Sequence, residues 1–195
     1  GALAAEAVRV RVGASGINFA ETRMRAGDYS GQELPFVMGM EVAGTIEEVG
    51  EAVTGLSRGD RVLGRARGAH ADVVDCDPDH LMLLPDNLSF VQGAAIPVGW
   101  LTAWHALYTV GGMKAGDRIL VEAVGGSVGS AALALAKQAG CWVLGTASRD
   151  EKLSQAASLG CDAVVNYTRE SVSEQVARLT DGQGMDIGLM TIGDA

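Results

Sequence analysis

Hydrophobic and polar positions change rhythm once along this chain. Near the N-terminus "VRVRVG" sets Val8, Val10 and Val12 against Arg9 and Arg11, the two-residue period of a half-buried strand. "MEVAGTIEEVGEAVTGLSRGDRVLG" predicts two further strands, with Gly55, Gly59 and Asp60 marking a tight turn before "RVLG". "HADVVDCDPDHLMLLPDNLSF" continues as short strands and turns, and "VQGAAIPVGWLTAWHALYTVGGM" carries apolar residues at helical spacing. From Asp117 the texture becomes strand–helix alternation. "DRILVEA", "CWVLGTAS", "DAVVNY" and "MDIGLMTIG" read as strands, and "SAALALAKQAG", "DEKLSQAASLG" and "SVSEQVARLTDG" as the helices between them. Alternation at such short spacing predicts a parallel sheet with helices on both faces. The chain is thus an α/β protein: a small β-rich module, a boundary between Ser89 and Gly112, and then an α/β unit, with no internal repeat.

The passage from the first of these later strands into its helix carries the clearest chemistry. In "VEAVGGSVGSAALALAKQAG" the strand breaks into Gly125, Gly126 and Gly129, which let the backbone turn tightly and approach a ligand closely. Strong helix formers follow, and Gly140 stands just past the helix end. Free N–H groups and the helix dipole make such a helix start an anion site, usually for a dinucleotide pyrophosphate. Only Gly126 and Gly129 match G-x-G-x-x-G, because Val124 stands at its first glycine, and an ordinary strand–turn–helix gives the same pattern. The next strand ends in Thr146-Ala147-Ser148-Arg149, with no acid before Asp150 to grip a ribose 2′-hydroxyl. Ser148, Arg149 and Lys152 suit a 2′-phosphate better, which favours NADPH over NADH. The alternative is that Arg149 and Lys152 are solvated charges at a helix start.

Composition narrows the classes. With 195 residues, 48% of them hydrophobic, the chain can bury a core in one or two domains. A net charge of −9 argues against a general nucleic-acid or anionic-membrane surface, so neither is an expected partner. Three cysteines without C-x-x-C spacing, no signal peptide and no apolar run of spanning length point to a cytoplasmic protein. The alanine-rich stretch around 130–137 is core helix.

Taken in order, "GINFAETRMRAGDY", "GMEVAGTIEEVGEAVTGLSRGDRV", "LPDNLSFVQGAAIPVGWLTAWHAL", "GDRILVEAVGGSVGSAALALAKQAG" and "GCDAVVNY" resemble the medium-chain dehydrogenase/reductase superfamily across essentially the whole chain. More narrowly they resemble its zinc-independent quinone reductases (zeta-crystallin-like) and enoyl reductases. The resemblance implies a GroES-like β-barrel domain over residues 1–100 and a Rossmann doubly wound parallel sheet over 101–195, with the active site in the cleft between them. It also implies a homodimer in the full-length family form. At the positions matching the catalytic zinc ligands of the zinc alcohol dehydrogenases stand Asn18, Met40 (followed by Glu41) and Val98, and the four-cysteine lobe is absent. An amide, a thioether and an alkyl chain cannot replace thiolates and imidazole around zinc, so the expectation is a metal-free protein.

Without a Lewis acid, alcohol oxidation loses its means of stabilising an alkoxide, and reduction of a quinone or another conjugated carbonyl becomes the expected reaction. By resemblance, Asn18 lies beside the nicotinamide and orients cofactor or substrate carbonyl, Tyr29 lines the substrate mouth and donates to the oxyanion, and Thr102 contacts the carboxamide or ribose. Gly126, Ser127, Val128 and Gly129 take the pyrophosphate role; Ser148, Lys152 and Tyr167 take the 2′-phosphate and adenosine role. Ser127 replaces a common family glycine, and its side chain should point away or bond phosphate. Two bland readings stand beside these: Asn18 satisfies a turn and Thr102 caps its helix.

Met190 where relatives carry an acid, and Trp104 where Tyr is common, depart from the pattern. The chain stops just after its fourth parallel strand, so only the adenosine half of a dinucleotide fold is complete, and it reads as a piece of a longer enzyme truncated at both ends. The expected function is an NADPH-dependent quinone or enone reductase. Alternatives are an enoyl-thioester reductase and a non-catalytic binding or structural protein on the same fold.

Overall fold

The computed structural model describes residues 1–29 and 34–191. The chain divides into two compact units, Gly1–Val98 and Gly99–Ala195. In the first, β1 (Val8–Ala14), β2 (Glu41–Val49), β3 (Arg61–Arg65), β4 (Val73–Cys76) and β5 (Leu81–Leu83) form one sheet in the order β4-β1-β2-β3-β5, every pairing antiparallel. The two-residue period of β1 has the consequence expected of it. Val8 and Val10 are fully buried and pack with Val42, Ile46, Val62 and Val74. Arg9 and Arg11 lie on the other face, where Arg9 pairs with Asp75 at 2.7 Å and Glu48 at 3.1 Å, and Arg11 with Glu47.

Among the described residues this unit holds two α-helices and a single 3-10 turn over Pro78–His80. α1 (Phe19–Ala26) follows β1, within a stretch whose apolar–polar alternation signals the strand and not this helix. It ends at Gly27, whose φ of 84° is the left-handed cap conformation. α2 (Phe90–Ala94) starts from a capping box, in which the Ser89 hydroxyl accepts from the Gln92 N–H at 3.2 Å. It packs a second small core of Ala43, Leu63, Leu84 and Ala94. α3 (Pro97–Trp104) begins at the end of this unit and runs into a π-helical turn over His105–Val110.

The second unit alternates β6 (Arg118–Val121), α4 (Ser127–Gln138), β7 (Trp142–Ala147), α5 (Asp150–Ser158), β8 (Ala163–Asn166), α6 (Val172–Leu179) and β9 (Ile187–Leu189). Its sheet is wholly parallel in the order β8-β7-β6-β9. The chain therefore builds outward from β6 through β7 to β8 and then crosses back to place β9 on the other side of β6. That reversal opens a crevice at the carboxyl end of β6, the place where open α/β sheets bind their ligands. Ile119, Val121, Val143 and the alanine-rich face of α4 form the core beneath it. The fold is thus α/β, a unit built on an antiparallel sheet followed by a unit built on a parallel sheet with alternating helices.

Candidate nucleotide site and a buried carboxylate network

The glycine turn lies at that crevice. β6 ends at Val121, and Ala123, not a glycine, takes the left-handed conformation with φ 47°. Its carbonyl then accepts the Gly126 N–H at 2.7 Å, closing the turn. α4 starts at Ser127 with Gly126 as its N-cap and no side chain capping it. The first bond of the helix runs from the Ser130 N–H to the Gly126 carbonyl at 2.9 Å, which leaves the N–H groups of Ser127, Val128 and Gly129 as the open donors of the first turn. Gly129 is buried so closely that a Cβ there would stand 2.8 Å from the Val124 Cα and nearer still to the Ala123 carbonyl oxygen. A Cβ on Gly126 would meet only that oxygen, at 3.2 Å, so this glycine faces open space. The Ser127 hydroxyl packs against Gly99 of α3.

The ends of β7 and β8 complete this side. Ser148 and Arg149 are exposed beyond β7. The Lys152 stem lies across the glycine turn, its Cβ, Cγ and Cδ 2.8–3.0 Å from where a Gly125 Cβ would stand. Tyr167 follows β8 and is 43% exposed. Asp150 is drawn aside: it accepts from the buried Asn166 amide at 2.7 Å and pairs with Arg169 at 2.9 Å. Asn166 in turn accepts from the Thr168 N–H and hydroxyl at 3.1 and 2.7 Å. Asp150, Asn166 and Arg169 line a surface cavity of about 360 Å³ with Leu153 and Ser154. The only ion pairs of this unit among the described residues are Arg118–Asp186, Lys137–Asp162 and Arg169–Asp150, so Arg149 and Lys152 stand without an acidic partner.

The same contacts fix how stability responds to acid. The Asn166 amide, then Arg169, holds the Asp150 carboxyl below the ordinary carboxylate range; Arg9 does so for Asp75, and the Arg118 N–H for Asp186. A carboxyl lowered in the folded state contributes stability above its unfolded pKa of about 4, and that contribution is lost as pH falls through the folded value. Urea midpoints should therefore be flat near neutrality and decline below pH ~4, and Asp150→Asn should shrink the decline. An unchanged decline in Asp150→Asn would remove this carboxylate from the account. Burial acts oppositely on the thiols: it pushes Cys76 up to about 11 and raises Cys141 and Cys161, so none is a poised nucleophile.

In the first unit the structure surrounds Asn18 with two acids. Asn18 is the N-cap of α1, and its backbone N–H donates to Glu21 Oε2 at 2.8 Å. Its side-chain Nδ2 donates to Glu41 Oε1 at 2.8 Å and reaches Glu21 Oε2 at 3.5 Å. Glu21 and Glu41 are only 1% and 3% exposed. The other oxygen of Glu21 accepts from the Gly39 N–H and that of Glu41 from the Val98 N–H, both at 2.8 Å. His70 Nε2 lies 3.1 Å from the Gly16 carbonyl and 3.7 Å from Glu21. Tyr29, 46% exposed, lines a cavity of about 520 Å³ with Met24, Met38, Met40 and Arg65. Thr102 is exposed inside α3, so the reading of it as a helix cap is corrected: a residue mid-helix has no orphan donors to cap.

Within the second unit the structure thus brings Gly126, Ser127, Val128, Gly129 and Lys152 together around one turn, with Ser148 and Arg149 just past the neighbouring strand. Glu21, Glu41, Asn166 and Arg169 are absent from the sequence-based set. Asn18-x-x-Glu21 fits the helix-start signature of a short polar residue with an acid three positions on, a signal present in the sequence. The partners of Glu41 lie too far along the chain to be read locally. Among the described residues no cluster of His, Cys, Asp and Glu is placed to hold a metal, and no helix is long and apolar enough to cross a membrane.

Comparison with known proteins places this geometry. Residues 4–86 match the alcohol dehydrogenase GroES-like domain, and residues 127–195 match the family described as zinc-binding dehydrogenase. The chain is 40% identical over 190 residues to quinone oxidoreductase-like protein 2 homolog of Nematostella vectensis, covering 95% of this chain and 52% of that protein. Escherichia coli quinone oxidoreductase, solved in complex with NADPH, superposes with a TM-score of 0.88 at 33% identity, over 93% of this chain and 56% of that one. The CurK enoyl reductase superposes with a TM-score of 0.87 at 27% identity, over 98% of this chain and 60% of that one. The chain therefore spans about half the length of that relative. Its matched families, its strand order and its relatives agree: the chain belongs to the medium-chain dehydrogenase/reductase superfamily, in the quinone oxidoreductase and enoyl reductase branch.

Proposed function

We propose that this chain holds NADPH and serves the reduction of a quinone or an α,β-unsaturated carbonyl. The observation that carries the reading is the uncapped start of α4 at the sheet's reversal point, with the Lys152 stem laid across it. The cradle fits a pyrophosphate: Gly126 leaves space where a side chain would stand, and the first-turn N–H groups supply donors. Arg149 and Lys152 hold the 2′-phosphate, because they are cations without acidic partners and the nearest acid, Asp150, is already engaged by Arg169. Ser148 and Tyr167 flank the adenosine. NADPH, when bound, supplies the hydride. Tyr29 donates to the substrate oxygen from its exposed position at the cavity mouth, and Thr102 offers a hydroxyl from α3. Zinc does not fit the positions that resemblance assigns to it: the Asn18 amide is bonded to Glu41, and neither the Met40 thioether nor the Val98 side chain is a zinc ligand. Soluble small molecules are the substrates in this reading.

Oxidation of NADPH should be followed optically with 1,4-benzoquinone and, separately, with a crotonyl thioester. Turnover of the quinone alone supports the quinone reductase; turnover of the thioester alone supports the enoyl reductase, the reading that likeness to the CurK enzyme keeps open. Binding of NADPH without turnover of either acceptor would contradict both. In the double variant Arg149→Ala/Lys152→Ala, preference for 2′,5′-ADP over 5′-AMP should fall about 10- to 100-fold, the worth of one or two charge-assisted hydrogen bonds. Retained preference, measured by calorimetry, would assign the 2′-phosphate elsewhere.

A further inference from the structure

The pairing of β2 with β3 ends at Glu41 and Arg65, but the two chains stay hydrogen-bonded beyond it. The Ala66 N–H donates to the Met40 carbonyl at 3.0 Å, the Gly68 N–H to that of Gly39 at 3.0 Å, and the His70 N–H to that of Met38 at 2.9 Å. These two stretches line the 520 Å³ cavity of the first unit, together with Met24 of α1, Tyr29 and Phe36. Small-molecule sites have volumes of this order and are mostly apolar, with a few polar groups that set specificity. Three thioethers and two aromatic rings suit a flat, conjugated guest. Methionine adapts its shape to what it meets and its sulfur packs well on ring edges, and aromatic rings stack on one another.

The polar part of the lining is cationic. Arg65 and Arg67, two positions apart on an extended stretch and therefore on one side of it, are both exposed and both line the cavity. Arg9, Arg11, Arg23 and Arg61 of this unit each pair with an acid; Arg65 and Arg67 pair with none among the described residues. Glu21 is the acid in the lining, and its oxygens already accept the N–H groups of Asn18 and Gly39. In a chain of net charge −9, two unpaired guanidinium groups thus border an apolar cavity. The planar fork of arginine matches the oxygens of a carboxylate, sulfonate or phosphate.

We infer that this cavity selects an anionic substrate: a flat conjugated carbonyl compound whose ring lies among the methionines and whose acidic substituent is held by Arg65 and Arg67. A quinone or enone bearing such a group is preferred over its neutral counterpart. That the guest is a conjugated carbonyl rests on the reductase reading above; the selection of an anion stands on the cavity and its two arginines alone.

The test compares two probes with one ring system. Anthraquinone-2-sulfonate carries the anion, and anthraquinone-2-sulfonamide is its neutral counterpart. Saturating 2′,5′-ADP is present throughout, so that the sulfonate does not occupy the nucleotide site. The methyl signals of ¹³C-labelled methionine locate the probe, those of Met24, Met38 and Met40 being identified by their loss in Met24→Leu, Met38→Leu and Met40→Leu. Ring currents of the bound sulfonate should shift these three signals and leave that of Met113, in the core of the second unit, in place. By calorimetry the sulfonate should bind the unaltered protein about 10-fold more tightly than the sulfonamide, a comparison that needs no variant to fold. The gap should narrow in about 1 M salt, where charges are screened within about 3 Å. In Arg65→Gln/Arg67→Gln it should close to within about 2-fold, and Arg65→Lys/Arg67→Lys should keep part of it. Equal affinity of the unaltered protein for the two probes overturns the selection of an anion, as does a gap that survives the loss of both arginines. Binding that leaves the signals of Met24, Met38 and Met40 unmoved, or no binding of either probe, overturns the cavity as the ligand site. The reductase reading fails separately: probes that bind as described, with no conjugated carbonyl reduced by NADPH, would refute the carbonyl half and leave the selection of an anion standing.

Discussion

Gly129→Ala should cost about 3 kcal/mol of stability and abolish nucleotide binding with it. The conformation at this glycine is one that alanine adopts readily; the obstacle is space. The added methyl would stand 2.8 Å from the Val124 Cα, 2.9 Å from the Ala123 carbonyl carbon and closer still to the Ala123 oxygen, all of them backbone atoms. Side chains can rotate out of such a contact, but here α4 would have to lift away from β6. That carbonyl also accepts the Gly126 N–H at 2.7 Å, so the bond that closes the turn would be disturbed. Gly126→Ala separates fold from site. Its methyl meets only the Ala123 oxygen at 3.2 Å, so stability should change by less than about 1 kcal/mol. Yet it fills the space left for a phosphate, so affinity for 2′,5′-ADP should fall at least about 10-fold. Urea unfolding and calorimetry of the two variants check both statements. Wild-type affinity in Gly126→Ala would place the phosphate elsewhere.

Glu21→Ala should destabilise the first unit by about 3 kcal/mol or more. Glu21 is 1% exposed, yet it sits in a helix whose first residue, Phe19, is 78% exposed. Its carboxylate accepts the N–H groups of Asn18 and Gly39, both at 2.8 Å, and truncation strands these donors where water enters with difficulty. Each buried N–H left without a partner costs about 1–3 kcal/mol. The start of α1 would lose its cap, and the chain around Gly39 its anchor. Glu21→Gln should cost less, because its carbonyl still satisfies one of the two donors. A urea midpoint for Glu21→Ala within about 0.5 kcal/mol of the unaltered protein would mean that water replaces the carboxylate.

The same residue shows why the sequence disclosed one half of this molecule better than the other. Strand–helix alternation from Asp117 onward is a local signal. β6 to β9 and their helices lie where it places them, and Gly140, with φ 77°, stands just past α4. The glycine turn was legible for the same reason, although the left-handed residue in it is Ala123. α1 was not legible, because "FAETRMRA" buries an acid and exposes a phenylalanine, the reverse of an amphipathic stripe. Only the Asn18–Glu21 spacing announces it. The carboxylate network was illegible as a network: Glu21 finds Gly39 at a separation of 18 residues, and Glu41 finds Val98 at 57. The engagement of Asp150 by Asn166 and Arg169 likewise depends on β8 lying beside β7, a consequence of the sheet and not of any local motif.

Calorimetric titration of this chain with 2′,5′-ADP, with 5′-AMP as the control, bears most directly on the assignment of an NADPH site, since it requires neither hydride transfer nor an acceptor. Saturable binding of 2′,5′-ADP is expected, with 5′-AMP at least about 10-fold weaker because it offers Arg149 and Lys152 no 2′-phosphate to hold. Equal affinities would contradict the phosphate assignment, and no binding of either ligand by the folded chain would contradict the nucleotide site itself.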